Sequence, residues 1–159
     1  KDGDVRYCEV KGRGIVEPII TNSDPSFHFS VELNEEIFRH DEEMEIKINT
    51  TKEMFIYIFL WTPYSKNKNK AIIKVFPNIN FNSNINNLVN KSISLKYEVN
   101  FPDNVNEDKI DEYLIVVGSE KKIEWLPNYS LEALKKQLNK TKILMDKVIT
   151  SYIIIKKNA

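Results

Sequence analysis

From Phe27 onward, apolar and polar side chains alternate at every second position. Phe27, Phe29, Val31 and Leu33 fall on one side of an extended chain, with His28, Ser30 and Glu32 on the other, the period of a strand with one buried face. Met44, Ile46 and Ile48 repeat the pattern against Glu45, Lys47 and Asn49, and Ile93, Leu95, Tyr97 and Val99 repeat it against Ser94, Lys96 and Glu98. Two stretches break the alternation. Met54-Phe55-Ile56-Tyr57-Ile58-Phe59-Leu60-Trp61 is apolar throughout, which predicts a central strand covered on both faces. Tyr113-Leu114-Ile115-Val116-Val117, closed by Gly118, predicts a second buried strand. Ala71 to Phe76 reads as a strand that Pro77 terminates, since proline brings no N–H to a ladder, and the polar stretch Thr62 to Lys70 joins it to the central strand as a long hairpin loop.

The period changes once. Ser130 suits an N-cap, and Leu131, Leu134, Leu138 and Ile143 recur at helical spacing among lysines, which predicts one long helix. Val148 to Ile155 then predicts a last strand. Several strands followed by one helix and one strand, with no regular βαβ alternation, define a mainly β fold: an antiparallel β-sandwich with one accessory C-terminal helix and a closing strand, rather than a doubly wound nucleotide fold. The 159 residues suffice for one domain. The loop Asn22 to Ser26 sets its start, giving a sandwich over 27–159. Residues 1–26 form an N-terminal arm or hairpin, with apolar stretches Val5 to Val10 and Ile15 to Ile20 about Gly12-Arg13-Gly14, or the end of a preceding domain.

Composition and charge act mainly by exclusion. Lys+Arg and Asp+Glu are equal at 23 each, so no basic field exists to release counterions from a nucleic-acid backbone, and nucleic acid is not an expected partner. Cys8 is the only cysteine, which leaves no second thiol for a bridge or a thiolate cluster. Asp2, Asp4 and Arg6 precede it where a lipidation signal would carry small apolar residues. No window reaches the roughly 18 uncharged apolar residues of a membrane helix, so no membrane insertion of this segment is expected. The chain opens on Lys1-Asp2-Gly3 without a methionine, which fits a trimmed or processed product that has lost any signal peptide. The chain is rich in asparagine, so the sequons at Asn49, Asn90, Asn128 and Asn139 read as chance matches.

Reactive constellations are sparse. His28 and His40 are the only imidazoles, and neither lies in a metal-ligand spacing or beside a nucleophile elbow. Asp41-Glu42-Glu43 and Glu107, Asp108, Asp111 and Glu112 flank strand starts, where charge keeps edges soluble. The asparagines at 78, 80, 82 and 84 lack the carboxylates of a calcium loop. None of the 4 glycines builds a phosphate loop. No cofactor, metal or catalytic residue is therefore expected, and a hydrolase with a carboxylate-based site stays a remote alternative that needs distant acids to converge. Binding has better candidates. Trp61 ends the central strand and Tyr64 follows in the loop beside Lys66 and Lys68, an aromatic-plus-cation surface suited to a protein partner or, if the rings are exposed, to a glycan.

Three blocks carry a resemblance to a known family. They are Phe29-Ser30-Val31-Glu32-Leu33-Asn34 with Phe38-Arg39 after it, the strand Phe55-Ile56-Tyr57-Ile58-Phe59, and Val75-Phe76-Pro77-Asn78 followed by Asn84-Ile85. In this order, over about residues 27–155, they resemble the bacterial domain-of-unknown-function family 4384. Val117-Gly118-Ser119-Glu120 is similar to the strand that follows. The chain departs from the family pattern at Asp41-Glu42-Glu43 and Asn86-Asn87, where the family shows glycine-containing turns. The resemblance makes Phe76, Pro77, Asn78 and Asn84 a structural motif. It implies a periplasmic or extracellular accessory domain of a bacterial cell envelope, often lipoprotein-associated and anchored through other regions of the protein, with no established activity. The expected function is a noncatalytic interaction domain that binds a protein partner in the envelope. The alternative is a carbohydrate-binding module that uses the same aromatics.

Overall fold

The computed structural model describes residues 24–77, 87–103 and 105–156. The expected N-terminal arm therefore lies outside the described residues up to position 23, as do Cys8, Asn78 and Asn84.

Two sheets and one helix make up the described chain. The smaller sheet has the order β1-β3-β7, from β1 (Phe29–Leu33), β3 (Glu43–Thr50) and β7 (Ser92–Glu98), and all its pairings are antiparallel. The larger runs β2-β10-β8-β4-β5-β9, from β2 (Ile37–Arg39), β10 (Met145–Ile155), β8 (Lys109–Ser119), β4 (Met54–Trp61), β5 (Ile72–Phe76) and β9 (Asn128–Tyr129), with β6 (Leu88–Val89) also on β4. The pairing of β8 with β10 is the longest, from Met145 opposite Ser119 to Ile155 opposite Lys109. One pairing departs from the antiparallel expectation: the short β2 lies parallel to β10, with Ile37 opposite Ile153.

The unbroken apolar run of β4 has a direct explanation, because its two faces enter different cores. Met54, Ile56, Ile58 and Leu60 meet Phe29, Met44, Ile46, Ile48 and Leu95 of the small sheet in the inner core. Tyr57 and Phe59 face the other way and pack with Ile72, Ile115, Val117, Trp125, Tyr129 and Leu134 in an outer core. Burial at this level is worth on the order of 1.5–3 kcal/mol per large apolar side chain. Trp125 anchors the outer layer edge-on, with ring centroids 5.6 Å from Tyr57 and 5.2 Å from Phe59.

Helix α1 (Leu131–Lys140) lies over the outer core through Leu134, with Leu131 and Leu138 partly buried beside it. Ser130 caps it, its Oγ accepting the Ala133 N–H at 3.1 Å, which satisfies one donor left open at a helix start. The helix stops before Ile143: Thr141 is already extended, with its N–H on the Gln137 carbonyl at 3.1 Å. The last strand then begins at Met145, three residues before its β-branched run.

Gly118 allows the two sheets to close at one end. A Cβ at this position would lie 2.6 Å from Met54 Sδ and 2.9 Å from the Phe29 ring, distances only a hydrogen can occupy. The outer face of the large sheet is less complete. Ile37 is 53% exposed and Ile149 51% exposed, and Ile155 is also exposed. Their registers, opposite Ile153, Ile115 and Arg39, set all three on the outer side.

Candidate functional site

Strand β8 turns its even-numbered residues inward, and Ile110, Leu114 and Val116 are buried in the inner core. Glu112 shares their parity and is carried inside with them, at 4% exposure. Its cross-strand neighbour on β10 is Tyr152, whose hydroxyl donates to Glu112 Oε2 at 2.5 Å and whose ring stands edge-on to Phe38 at 5.8 Å. Glu112 Oε1 accepts from the hydroxyl of Tyr64, which reaches in from the β4–β5 loop. Tyr97 of β7 completes the surroundings, since the charge on Glu112 acts on its phenol.

Burial dominates the electrostatics of this cluster. It pushes the Glu112 carboxyl above its ordinary value, and the two phenol hydrogen bonds oppose that rise without cancelling it. Burial and then the Glu112 charge raise Tyr97 to about 12. Tyr64 and Tyr152 are raised further by burial together with their contact to the carboxylate. All three phenols therefore remain protonated donors at any physiological pH.

The loop above this cluster is held largely by its own bonds. The Thr62 N–H and Oγ1 both donate to the Ala71 carbonyl, at 2.9 and 3.1 Å, and the Ser65 N–H donates to the Thr62 carbonyl at 3.0 Å. Lys68 folds back, its Nζ donating to the Pro63 carbonyl at 2.6 Å. A cleft of about 150 Å³ opens beside Tyr64, lined also by Thr62, Ser65, Lys66 and Val105.

The sequence-predicted binding residues are therefore split. Tyr64 and Lys66 line one cleft, and Lys68 covers the neighbouring backbone. Trp61 belongs to the opposite side of the large sheet, where it packs against the outer core and lies 4.8 Å from Tyr113 at a tilt of 35°. Trp125 is 8% exposed within that core. Of the structural motif, Phe76 is buried in the inner core and joined to Pro77 by a cis peptide bond. The residue missed in the sequence is Glu112, grouped there with the strand-flanking acids. Strand parity with Leu114 and Val116 was the available signal.

The imidazoles have local roles. His28 Nδ1 lies 3.0 Å from the Pro25 carbonyl, and His40 Nδ1 accepts the Phe101 N–H at 3.0 Å. Among the described residues no three His, Cys, Asp or Glu side chains are grouped to hold a metal ion.

Fold and site together define a mainly β, two-sheet domain with one covering helix and a buried carboxylate–phenol cluster. No family model matches the chain, and no curated protein matches it. A solved structure similar to it is that of a DUF4785-family protein from Legionella pneumophila, at 11% identity and a TM-score of 0.46, over 79% of this chain and 28% of that one. The chain thus spans under a third of that protein's length.

Proposed function

We propose that this chain is a noncatalytic accessory domain of a bacterial envelope or secreted protein and that it binds a protein partner. The observation that supports this reading is the outer face of the large sheet. Helix α1 and Trp125 cover its β4–β5 side, and the partly buried Trp61–Tyr113 pair borders that cover, while beyond it the side chains of Ile37, Ile149 and Ile155 present apolar surface to solvent. Apolar side chains left exposed on one face of a sheet are candidates for an interaction surface. The short strand β2 ends the sheet on that side, so an extended segment of a partner could add beside it while its side chains rest on the isoleucines. The envelope setting follows from the family resemblance described above.

A carbohydrate-binding reading draws support from Trp61 and Tyr113, whose rings are within stacking distance. The two readings separate in one experiment. The domain, a Trp61→Ala/Ile149→Lys variant and a Lys66→Glu/Lys68→Glu variant are each used to recover partners from envelope extracts, and each is titrated with soluble cell-wall oligosaccharides. The expected result is a specific protein recovered by the parent and by the lysine variant, and lost with the outer-face variant. Equal recovery by all three removes the outer face as the binding surface, and saturable oligosaccharide binding by the parent that is abolished in the Trp61→Ala/Ile149→Lys variant, with no protein recovered, would establish the glycan reading instead.

A further inference from the structure

The small sheet ends on one side in β7, a strand of 7 residues. We propose that a second copy of this chain pairs with its outer edge, β7 against β7 in antiparallel order about a two-fold axis at Tyr97, so that Lys96 of one copy stands opposite Glu98 of the other. The inference does not rest on the protein-binding reading, because β7 is not part of the large sheet whose outer face supports that reading.

The register settles which main-chain groups face outward. Beyond the two ends of the β3–β7 pairing, the Val99 N–H donates to the Glu42 carbonyl at 2.9 Å and the Thr50 N–H donates to the Lys91 carbonyl at 2.7 Å. Odd-numbered residues therefore bond towards β3, and the alternation of an antiparallel ladder turns the N–H and C=O groups of Ser92, Ser94, Lys96 and Glu98 the other way. Among the described residues β7 pairs with no strand but β3, and in this outward row only the Glu98 carbonyl has a partner, the Asn100 side-chain amide at 3.2 Å. Natural edges of this kind are guarded by proline, a bulge or charge. Strand β7 has no proline, and its register with Glu43–Asn49 runs without a shift, so its guards are the charges of Lys96 and Glu98.

Those charges select the occupant. Glu98 lies directly opposite Glu43, a like-charge pair that costs stability, and Lys96 Nζ is drawn to Glu43 Oε1 at 2.7 Å. Among the described residues the Glu98 carboxylate has no ion pair. An axis at Tyr97 supplies the missing cation: Lys96 and Glu98 of one copy face Glu98 and Lys96 of the other, and the four charges alternate in sign around the axis. Both residues turn their main chain outward, so the same register makes each Lys96–Glu98 pair a hydrogen-bonded one. An axis at Lys96 would oppose two lysines, and one at Leu95 would set both charges against serines. The pair is isologous, each copy offering the same patch to the other.

The test is sedimentation equilibrium of the full 159-residue chain and of two variants, Lys96→Glu and Glu98→Lys, from micromolar to millimolar concentration. The parent should show a monomer–dimer equilibrium. Each variant alone sets like charges across the axis and should weaken the dimer by about tenfold or more. An equimolar mixture of the two should regain it as a heterodimer, because each variant carries the charges that the other lacks. Amide hydrogen exchange of the parent needs no variant: the Lys96 and Glu98 N–H groups should exchange more slowly as concentration rises. A parent that stays monomeric throughout would overturn the proposal, as would a dimer that both single variants leave intact or a mixture that fails to associate. Slow exchange of both amides in the monomer would overturn it too, by showing that other residues of the same chain cover the edge.

Discussion

At position 112 a carboxyl group sits where the strand period calls for an apolar residue. Its two oxygens are satisfied by Tyr64 and Tyr152, so the cost of burial falls on its charge rather than on missing hydrogen bonds. That gives a directional expectation for stability. The folded protein holds the Glu112 proton to higher pH than the unfolded chain, whose carboxyl titrates near the ordinary value of 4.5. The stabilising contribution of the protonated form is therefore fully present below that value and is lost as pH rises through the folded-state titration. Glu112→Gln keeps the shape without the charge. In urea unfolding at a series of pH values, the parent should fall progressively behind Glu112→Gln as pH rises from acid toward neutral. A difference that stays constant with pH would show that Glu112 does not titrate differently in the folded protein.

Each long strand is explained by what its two faces meet. Alternating strands such as β3 have one buried face, and β4 has two because a helix and a tryptophan-bearing loop cover its far side. Tyr57 and Tyr129 tie that loop down, their hydroxyl oxygens accepting the N–H groups of Ile123 at 2.8 Å and Leu126 at 2.7 Å. In β8 the decisive residue is the smallest one. At Gly118 the Phe29 ring and Met54 Sδ occupy the space of a side chain, so Gly118→Ala forces β1 or the Met54 side chain to move. Overpacking of this kind costs about 1–3 kcal/mol, and chemical denaturation should show a loss of that size with an unchanged denaturant slope. No loss would mean that the Phe29 end of the sandwich is loosely packed.

Two cores share one sheet, so the molecule should unfold as a unit. Strands β4 and β8 contribute to both, and neither core survives without them. Ile58→Ala in the inner core is expected to cost about 2–5 kcal/mol and Phe59→Ala in the outer core about 3–5 kcal/mol. Both should lower a single transition in which near-UV and far-UV circular dichroism coincide. Separate transitions for the aromatic signal and the backbone signal in either variant would show that the helix layer unfolds independently of the sandwich.

The strand and helix pattern was legible in the sequence because it depends on local periodicity: Phe29 to Leu33, Met44 to Ile48 and Ile93 to Val99 each needed one buried face, and Leu131 to Leu138 needed a helix. The two-faced burial of β4 was legible for the same reason, as an apolar run too long to leave either side wet. Tertiary structure alone decided which strands became neighbours, since β1 and β2 are adjacent in the chain but belong to different sheets. It also decided that Trp61 and Tyr64, three residues apart, serve opposite sides of one sheet. Glu112 is the clearest case. Charge marked it as a surface residue, but its place between Ile110 and Leu114 in a long paired strand fixed it inside, because each step along a strand reverses the side chain and the β8–β10 register admits no slip that would let one residue turn out.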